Sequence, residues 1–238
     1  MTAPGGRTAV VTGASRGIGA GIATALAREG VRVVMLARNE ARLREAARPL
    51  KGSIPVACDV SNPRSVEKAA DQIRGELGGA PDILVNNAGI FGVSIVEETT
   101  TDFFVETINT NLVAPFLLVR AFLADMKKRK RGHIVTIGSI SDRTIFTGNA
   151  AYSAAKFGLR AVHEVLRAEL RESGVRASLI SPAATDTDMW NTVTITDPAG
   201  KPHSKRPMLS PDDVVAAVMF ALTQPQRVNI DELRLSHS

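Results

Sequence analysis

Tyr152 is the only tyrosine of the chain and stands four residues before Lys156, in the stretch Tyr152-Ser153-Ala154-Ala155-Lys156. On a helix that spacing sets both side chains on one face. A free phenol ionises at about pH 10, too high for ready proton exchange at neutral pH. A neighbouring ammonium favours the phenolate and lowers that value, which suits the tyrosine to general acid or base work. The pair acquires meaning only from the frame that holds it.

That frame is an alternation of strands and helices. Short aliphatic or β-branched runs at Thr8–Val11, Val31–Leu36, Ile54–Cys58, Ile83–Val85, Ile134–Ile137, Ala177–Ile180 and Leu233–Leu235 read as strands buried on both faces. Helical patterns at Ile18–Arg28, Glu40–Ala47, Pro63–Leu77, Asp102–Lys128, Ala150–Glu172 and Pro211–Leu222 separate them. Ser61-Asn62-Pro63 and Ser210-Pro211-Asp212-Asp213 supply helix starts. Gly30, Gly132 and Gly174 stand where a left-handed residue would close a helix. Strict alternation implies an α/β fold: a single-domain, Rossmann-like, doubly wound parallel sheet of seven strands with helices on both faces. Ligands bind such sheets beyond the carboxyl ends of the strands. The long non-periodic stretch 186–209, with Pro198, Gly200, Pro202 and Pro207, reads as a substrate lid.

The first strand runs into Thr12-Gly13-Ala14-Ser15-Arg16-Gly17-Ile18-Gly19 and then a helix. Glycines there permit a tight turn and close backbone approach to a pyrophosphate, and the helix N-terminus favours the anion. The glycines are spaced three residues and then one apart, unlike the common dinucleotide fingerprint. With this turn the sequence resembles the short-chain dehydrogenases/reductases over its whole length. Asn86-Asn87-Ala88-Gly89 is similar to that family's second signature, and Asn111, Ser139, Tyr152 and Lys156 match its catalytic tetrad.

The resemblance implies roles. Tyr152 would protonate a carbonyl oxygen as hydride arrives from a nicotinamide, and Lys156 would lower the tyrosine pKa and hold the ribose. Ser139 would hydrogen-bond the same oxygen. Asn111 would bend its helix and hold a water that relays protons to the lysine. Cofactor contacts are expected from Gly13, Ser15, Arg16, Gly17, Ile18, Gly19, Arg38, Asp59, Val60, Asn86, Ala88, Gly89, Tyr152, Lys156, Pro182, Thr185 and Thr187. Ala37 stands where an NAD-type acid would, with Arg38 after it and Arg16 in the turn, which favours NADP(H). Ala183 replaces the family's usual glycine after Pro182, so the backbone there is expected to differ.

The substrate pocket is expected from Ile90–Ser94, Ile140–Phe146 and the lid. Ile90, Phe91, Ile140, Ile145, Phe146, Met189 and Trp190 make it largely apolar. Trp190 is placed either to stack on a substrate ring or to pack on its own domain. Arg143 is either a substrate-carboxylate ligand or a surface residue. The family resemblance implies reduction of a small-molecule ketone or aldehyde to an alcohol. Alternatives are a 3-oxoacyl-[acyl-carrier-protein] reductase, an isomerase or dehydratase, and a non-catalytic dinucleotide-binding regulator. The tail Val228–Leu235 lacks the Asp-Gly-Gly segment usual in the acyl-carrier reductases.

Bulk properties narrow the partners. Of the 238 residues, 44% are apolar and 22% charged, as in soluble domains, and no uninterrupted apolar run suggests a membrane span. The N-terminus shows no signal-peptide pattern, and the single cysteine, Cys58, excludes an internal disulfide. A cytoplasmic address is the expectation. The net charge of +5 includes the run Lys127-Lys128-Arg129-Lys130-Arg131 at a helix end, where cations complement the dipole. With one Trp and one Tyr, nucleic-acid binding is not expected. The four histidines lack ligand spacing, so no metal is expected. The long patterns at Asp102–Lys128 and Ala150–Glu172 resemble the helices through which members of that family associate, which implies a homodimer or homotetramer.

Overall fold

The apolar runs form seven strands: β1 (Thr8–Thr12), β2 (Arg32–Ala37), β3 (Ile54–Ala57), β4 (Ile83–Asn86), β5 (Gly132–Ile137), β6 (Val175–Pro182) and β7 (Glu232–Leu235). They pair in one parallel sheet of order β3-β2-β1-β4-β5-β6-β7. Val10 of β1 lies between Val34 of β2 and Leu84 of β4, all three without exposed surface. Continuous apolarity is what a strand covered on both faces requires. The strand order reverses between β1 and β4, which opens a crevice at their carboxyl ends. The computed structural model describes residues 6–193 and 208–238. Most of the expected lid, 194–207, lies outside the described residues.

The helices are α1 (Gly17–Arg28), α2 (Glu40–Ala47), α3 (Pro63–Leu77), α4 (Thr101–Ile108), α5 (Ala114–Lys128), α6 (Ala150–Glu169) and α7 (Pro211–Leu222). On one face of the sheet, Ile22 and Leu26 of α1, Leu43 of α2 and Val214 and Val218 of α7 are buried in one core layer. On the other, Ile73 of α3, Leu118 and Phe122 of α5 and Leu166 of α6 fill a second. Each such fully buried side chain contributes about 1.5–3 kcal/mol. Asn62 caps α3 by accepting from the amides of Arg64 and Ser65 ahead of Pro63, and Ser210 and Asp213 form a capping box on α7.

Three expectations are corrected here. The pattern Asp102–Lys128 is not one regular helix: α4 and α5 are joined by a π-turn over Asn109–Val113. The whole rod, Thr101–Lys128, is long and apolar enough to cross a membrane by length and composition, although no uninterrupted apolar run marks it. Its buried members Leu118, Phe122 and Met126 pack in the core layer beside the sheet. Gly132 does not close α5. Lys130 takes the left-handed conformation at φ 51°, while Gly132 belongs to β5, where a Cβ would come within 2.8 Å of the Met126 sulfur. The basic run is also partly structural, since Arg131 pairs with the buried Asp82 at 2.8 Å and Arg129 at 3.8 Å.

Candidate active site

A cleft of about 1040 Å³ runs along the carboxyl ends of the strands. Its floor at one end is the β1–α1 turn. Gly13 adopts φ 65°, and a Cβ on it would lie 2.9 Å from the Asn87 side-chain nitrogen and 3.0 Å from the Ala88 Cα. Gly17 adopts φ 54°, and Arg16 at the N-cap of α1 offers no side-chain acceptor to the first helical amides. Those amides therefore have no side-chain cap, the arrangement of a helix N-terminus suited to an anion. Thr12 holds the second signature against this turn: its hydroxyl accepts from the amides of Asn87 and Ala88, each at 2.9 Å. Ser15, Arg16, Ile18, Arg38, Asp59, Val60, Ala88 and Gly89 all line the cleft.

Two expected cofactor contacts lie off the wall. Gly19 is a packing glycine, since a Cβ there would overlap the Gly13 carbonyl and come within 2.5 Å of the Asn87 side-chain nitrogen. Asn86, only 3% exposed, is enclosed at the end of β4, and its neighbour Asn87 reaches the cleft instead. The arginines of the cofactor end are engaged with acids, Arg16 with Asp188 and Arg38 with Glu106, both at 3.3 Å and largely exposed. Asp59 Oδ1 accepts from the amide and hydroxyl of Ser61.

At the inner end, Ser139, Tyr152, Lys156 and Asn111 converge from β5, α6 and the π-turn on the same cleft. Asn111 is 1% exposed. Its Oδ1 accepts from the Ile90 amide at 3.2 Å, and its Nδ2 donates to the carbonyls of Ile90 and Thr107 at 2.9 and 3.0 Å. The π-turn is what aims this side chain at the β4 loop rather than along the helix. Lys156, 6% exposed, donates to the Ile137 carbonyl at 2.8 Å and stands 5.5 Å from the centre of the Tyr152 ring. The Ser139 hydroxyl accepts from the Ser141 amide at 3.1 Å.

The electrostatics differ from expectation. Burial, reinforced by the charge of Asp142, pushes the Tyr152 phenol up to about 12, while the nearby Ser139 hydroxyl opposes this without forming a hydrogen bond of ordinary geometry. Burial pushes Lys156 down to about 8, with Asp142 opposing. The net shift of the phenol is upward: the ammonium is turned to the Ile137 carbonyl, and desolvation of the phenolate outweighs any lowering by its field.

The end beside Tyr152 is apolar, although Ile145, expected in its wall, is 72% exposed and does not line it. Phe91 stacks edge-on against Tyr152 at 4.9 Å and against Trp190 at 5.0 Å. Trp190 also donates to the Thr185 carbonyl at 2.9 Å, so it packs on its own domain. Ile140, Phe146 and Met189 complete this wall. Arg143 is the clear correction: it turns away from the cleft to pair with Asp142 at 2.7 Å and with Glu232. Pro182, Thr185 and Thr187 line the cleft. Ala183 brings no unusual backbone. The left-handed non-glycine residues among those described are Lys130 and Glu172 alone, and the Ala183 amide donates to the Leu235 carbonyl at 2.8 Å. Phe91 falls in the expected stretch Ile90–Ser94, whereas Asp142, to which the sequence assigns no role, is buried behind this wall; a carboxylate three residues after Ser139 is its signal in the sequence.

A doubly wound sheet with an anion-binding turn and a Ser–Tyr–Lys group across one cleft defines a dinucleotide-dependent oxidoreductase class. The family model of short chain dehydrogenases matches residues 7–197. An uncharacterised oxidoreductase of Staphylococcus saprophyticus is 34% identical over 232 residues, covering 95% of each chain. Among solved structures, a metagenomic short-chain oxidoreductase in complex with NADP is similar over 100% of both chains, with TM-score 0.83 and 33% identity. An alcohol dehydrogenase of the archaeon Thermococcus sibiricus, complexed with 5-hydroxy-NADP, covers 96% of this chain and 95% of its own, with TM-score 0.84 and 30% identity. The chain belongs to the short-chain dehydrogenase family of oxidoreductases.

Proposed function

We propose that this protein is an NADPH-dependent carbonyl reductase that converts a ketone or aldehyde to an alcohol, with Tyr152 as proton donor. The observation that carries this reading is the arrival of Ser139, Tyr152 and Lys156 at one end of a cleft whose other end holds Arg16 and Arg38. NADPH, when bound, supplies the hydride. The left-handed Gly13 and Gly17 and the open amides of α1 suit its pyrophosphate. Arg16 and Arg38 suit the 2′-phosphate, with Ala37 leaving no acid in the way. Their present partners Asp188 and Glu106 are solvent-exposed, so exchanging them for a phosphate costs little.

A phenol held near 12 keeps its proton across the physiological range and gives it up only to a more basic oxygen, which the alkoxide developing at the reduced carbonyl is. The proton passes from the Tyr152 oxygen to the substrate oxygen as the carbonyl carbon is reduced. Ser139, whose oxygen already accepts from the Ser141 amide, keeps its own proton free for the same substrate oxygen. The Lys156 ammonium beside the ring stabilises the phenolate left behind. Asn111 Oδ1 retains a lone pair beyond the one facing the Ile90 amide, which suits it to hold a water on the path to Lys156. Phe91, Trp190, Phe146 and Met189 supply an apolar seat for the substrate.

Exposed Phe104 and Val105 on α4, Phe116 on α5 and Phe157 and Val165 on α6 support a homodimer or homotetramer joined through these helices. Light scattering tests the assembly. The cofactor assignment is tested by thermal unfolding with NADPH and with NADH, since stabilisation follows RT ln(1 + [L]/Kd). A preference for NADPH of about tenfold or more is expected. Equal affinities would overturn the arginine assignment.

A further inference from the structure

The carboxylate of Asp142 has no exposed surface, yet it lies beside the reacting groups and belongs to none of the assigned roles. It ends the short 3₁₀ turn Ile140–Asp142 that Ser139 caps, and its amide donates to the Ser139 carbonyl at 3.0 Å. Its Oδ2 accepts from the Ser181 hydroxyl of β6 at 2.7 Å, and its Oδ1 from Arg143 Nε at 2.7 Å. A Cβ on Gly138 would come within 3.3 Å of this Oδ2. The carboxylate therefore lies over the backbone between Ile137, whose carbonyl holds Lys156, and Ser139.

A buried carboxylate needs compensation. Arg143 supplies one positive charge, but it also pairs with Glu232 of β7. Two carboxylates against one guanidinium leave the cluster at a formal −1, and the buried ammonium that balances it is Lys156. Around that ammonium, α6 contributes Tyr152, β5 the Ile137 carbonyl and the 3₁₀ turn Asp142. The charge of Asp142 favours the protonated lysine and opposes burial, which disfavours it.

We propose that Asp142 is a positioning residue, resting on the reductase reading: it ties the Ser139 turn to β6 and supplies the counter-charge that keeps Lys156 an ammonium beside a protonated Tyr152. Its charge acts in the same sense on both groups, favouring the protonated lysine and the protonated phenol. Both are the states a proton-donating site needs.

The test uses the single tyrosine. Tyrosine labelled with ¹³C at Cζ gives one protein resonance, from Tyr152, which reports the ionisation of Lys156 5.5 Å away as an inflection near the lysine's value of about 8. Lys156→Met removes the inflection and so assigns it. In Asp142→Asn, which keeps an oxygen for Ser181 and loses the charge, the inflection is expected to move to lower pH by on the order of one unit. The alkaline limb of carbonyl reduction moves with it. Glu232→Gln, at a side chain one-quarter exposed, moves it the same way by less, and serves if Asp142→Asn fails to fold. Ser181→Ala lowers stability and leaves the midpoint in place. An unmoved midpoint in Asp142→Asn, or in Glu232→Gln where that variant alone folds, overturns the proposal. Because the resonance needs no turnover, a midpoint that moves in a protein that reduces no carbonyl compound counts against the reductase reading and not against the charge of Asp142.

Discussion

Asn111 grips Ile90 from both sides of its peptide backbone, accepting from the amide at 3.2 Å and donating to the carbonyl at 2.9 Å. The side chain thereby pins the loop after β4, which forms one wall of the cleft, to the π-turn between α4 and α5. A third bond, to the Thr107 carbonyl at 3.0 Å, satisfies a backbone acceptor next to the π-turn.

Asn111→Ala leaves those backbone groups unpaired. It is expected to lower stability by about 2–3 kcal/mol and kcat by about tenfold or more. Urea unfolding and steady-state kinetics check both. An unchanged protein would show that the loop holds its place without this residue.

Lys156 is a base whose folded value, about 8, lies below its ordinary 10.5. Below 8 both folded and unfolded chains carry the proton, and the full burial penalty, about 3 kcal/mol, stands. Between 8 and 10.5 the unfolded chain binds more protons, so stability rises with pH. Tyr152 acts oppositely at higher pH: the unfolded phenol ionises first above 10, and stability falls toward 12. Unfolding free energy of the parent minus that of Lys156→Met, followed from pH 7 to about 10, is expected to rise by a few kcal/mol. A flat difference would show that Lys156 is not desolvated.

Arg38→Ala is expected to weaken NADPH binding by about 10–100-fold and leave NADH within a few-fold, because only the 2′-phosphate loses a charge-assisted partner. Nicotinamide fluorescence titrations measure both. Equal losses for the two cofactors would assign Arg38 a general structural role.

Ala183→Gly is expected to cost about 0.5–1 kcal/mol without changing NADPH affinity, since Ala183 has no left-handed backbone to relieve. A tighter-binding variant would show that alanine distorts the segment after β6.

Much of this was legible in the sequence because it depends on local pattern. The seven strands follow from continuous apolar runs, and the cofactor turn from glycines that only a tight turn needs. The tetrad residues follow from their match to the family's motifs. What escaped depends on distant partners. Whether Lys130 or Gly132 ends α5 is decided by the Met126 sulfur against β5. Arg143 reads as a free cation until Glu232, 89 residues away, is brought beside it by the β6–β7 pairing. Asn86 and Asn87 are interchangeable as letters, and only the strand's pleat turns one inward and the other to the cleft. The Tyr152–Lys156 spacing implied a lowered phenol pKa, but spacing carries no measure of desolvation, which reverses the sign here.

The most direct measurement is NADPH oxidation by the parent and by Tyr152→Phe across a panel of apolar ketones and aldehydes. Expected are turnover by the parent and a loss of about 10³-fold or more in the variant, with NADPH-induced thermal stabilisation unchanged. A variant that retains the parent's turnover, or a parent that binds NADPH and reduces none of the panel, would contradict the assignment of Tyr152 as proton donor in a carbonyl reductase.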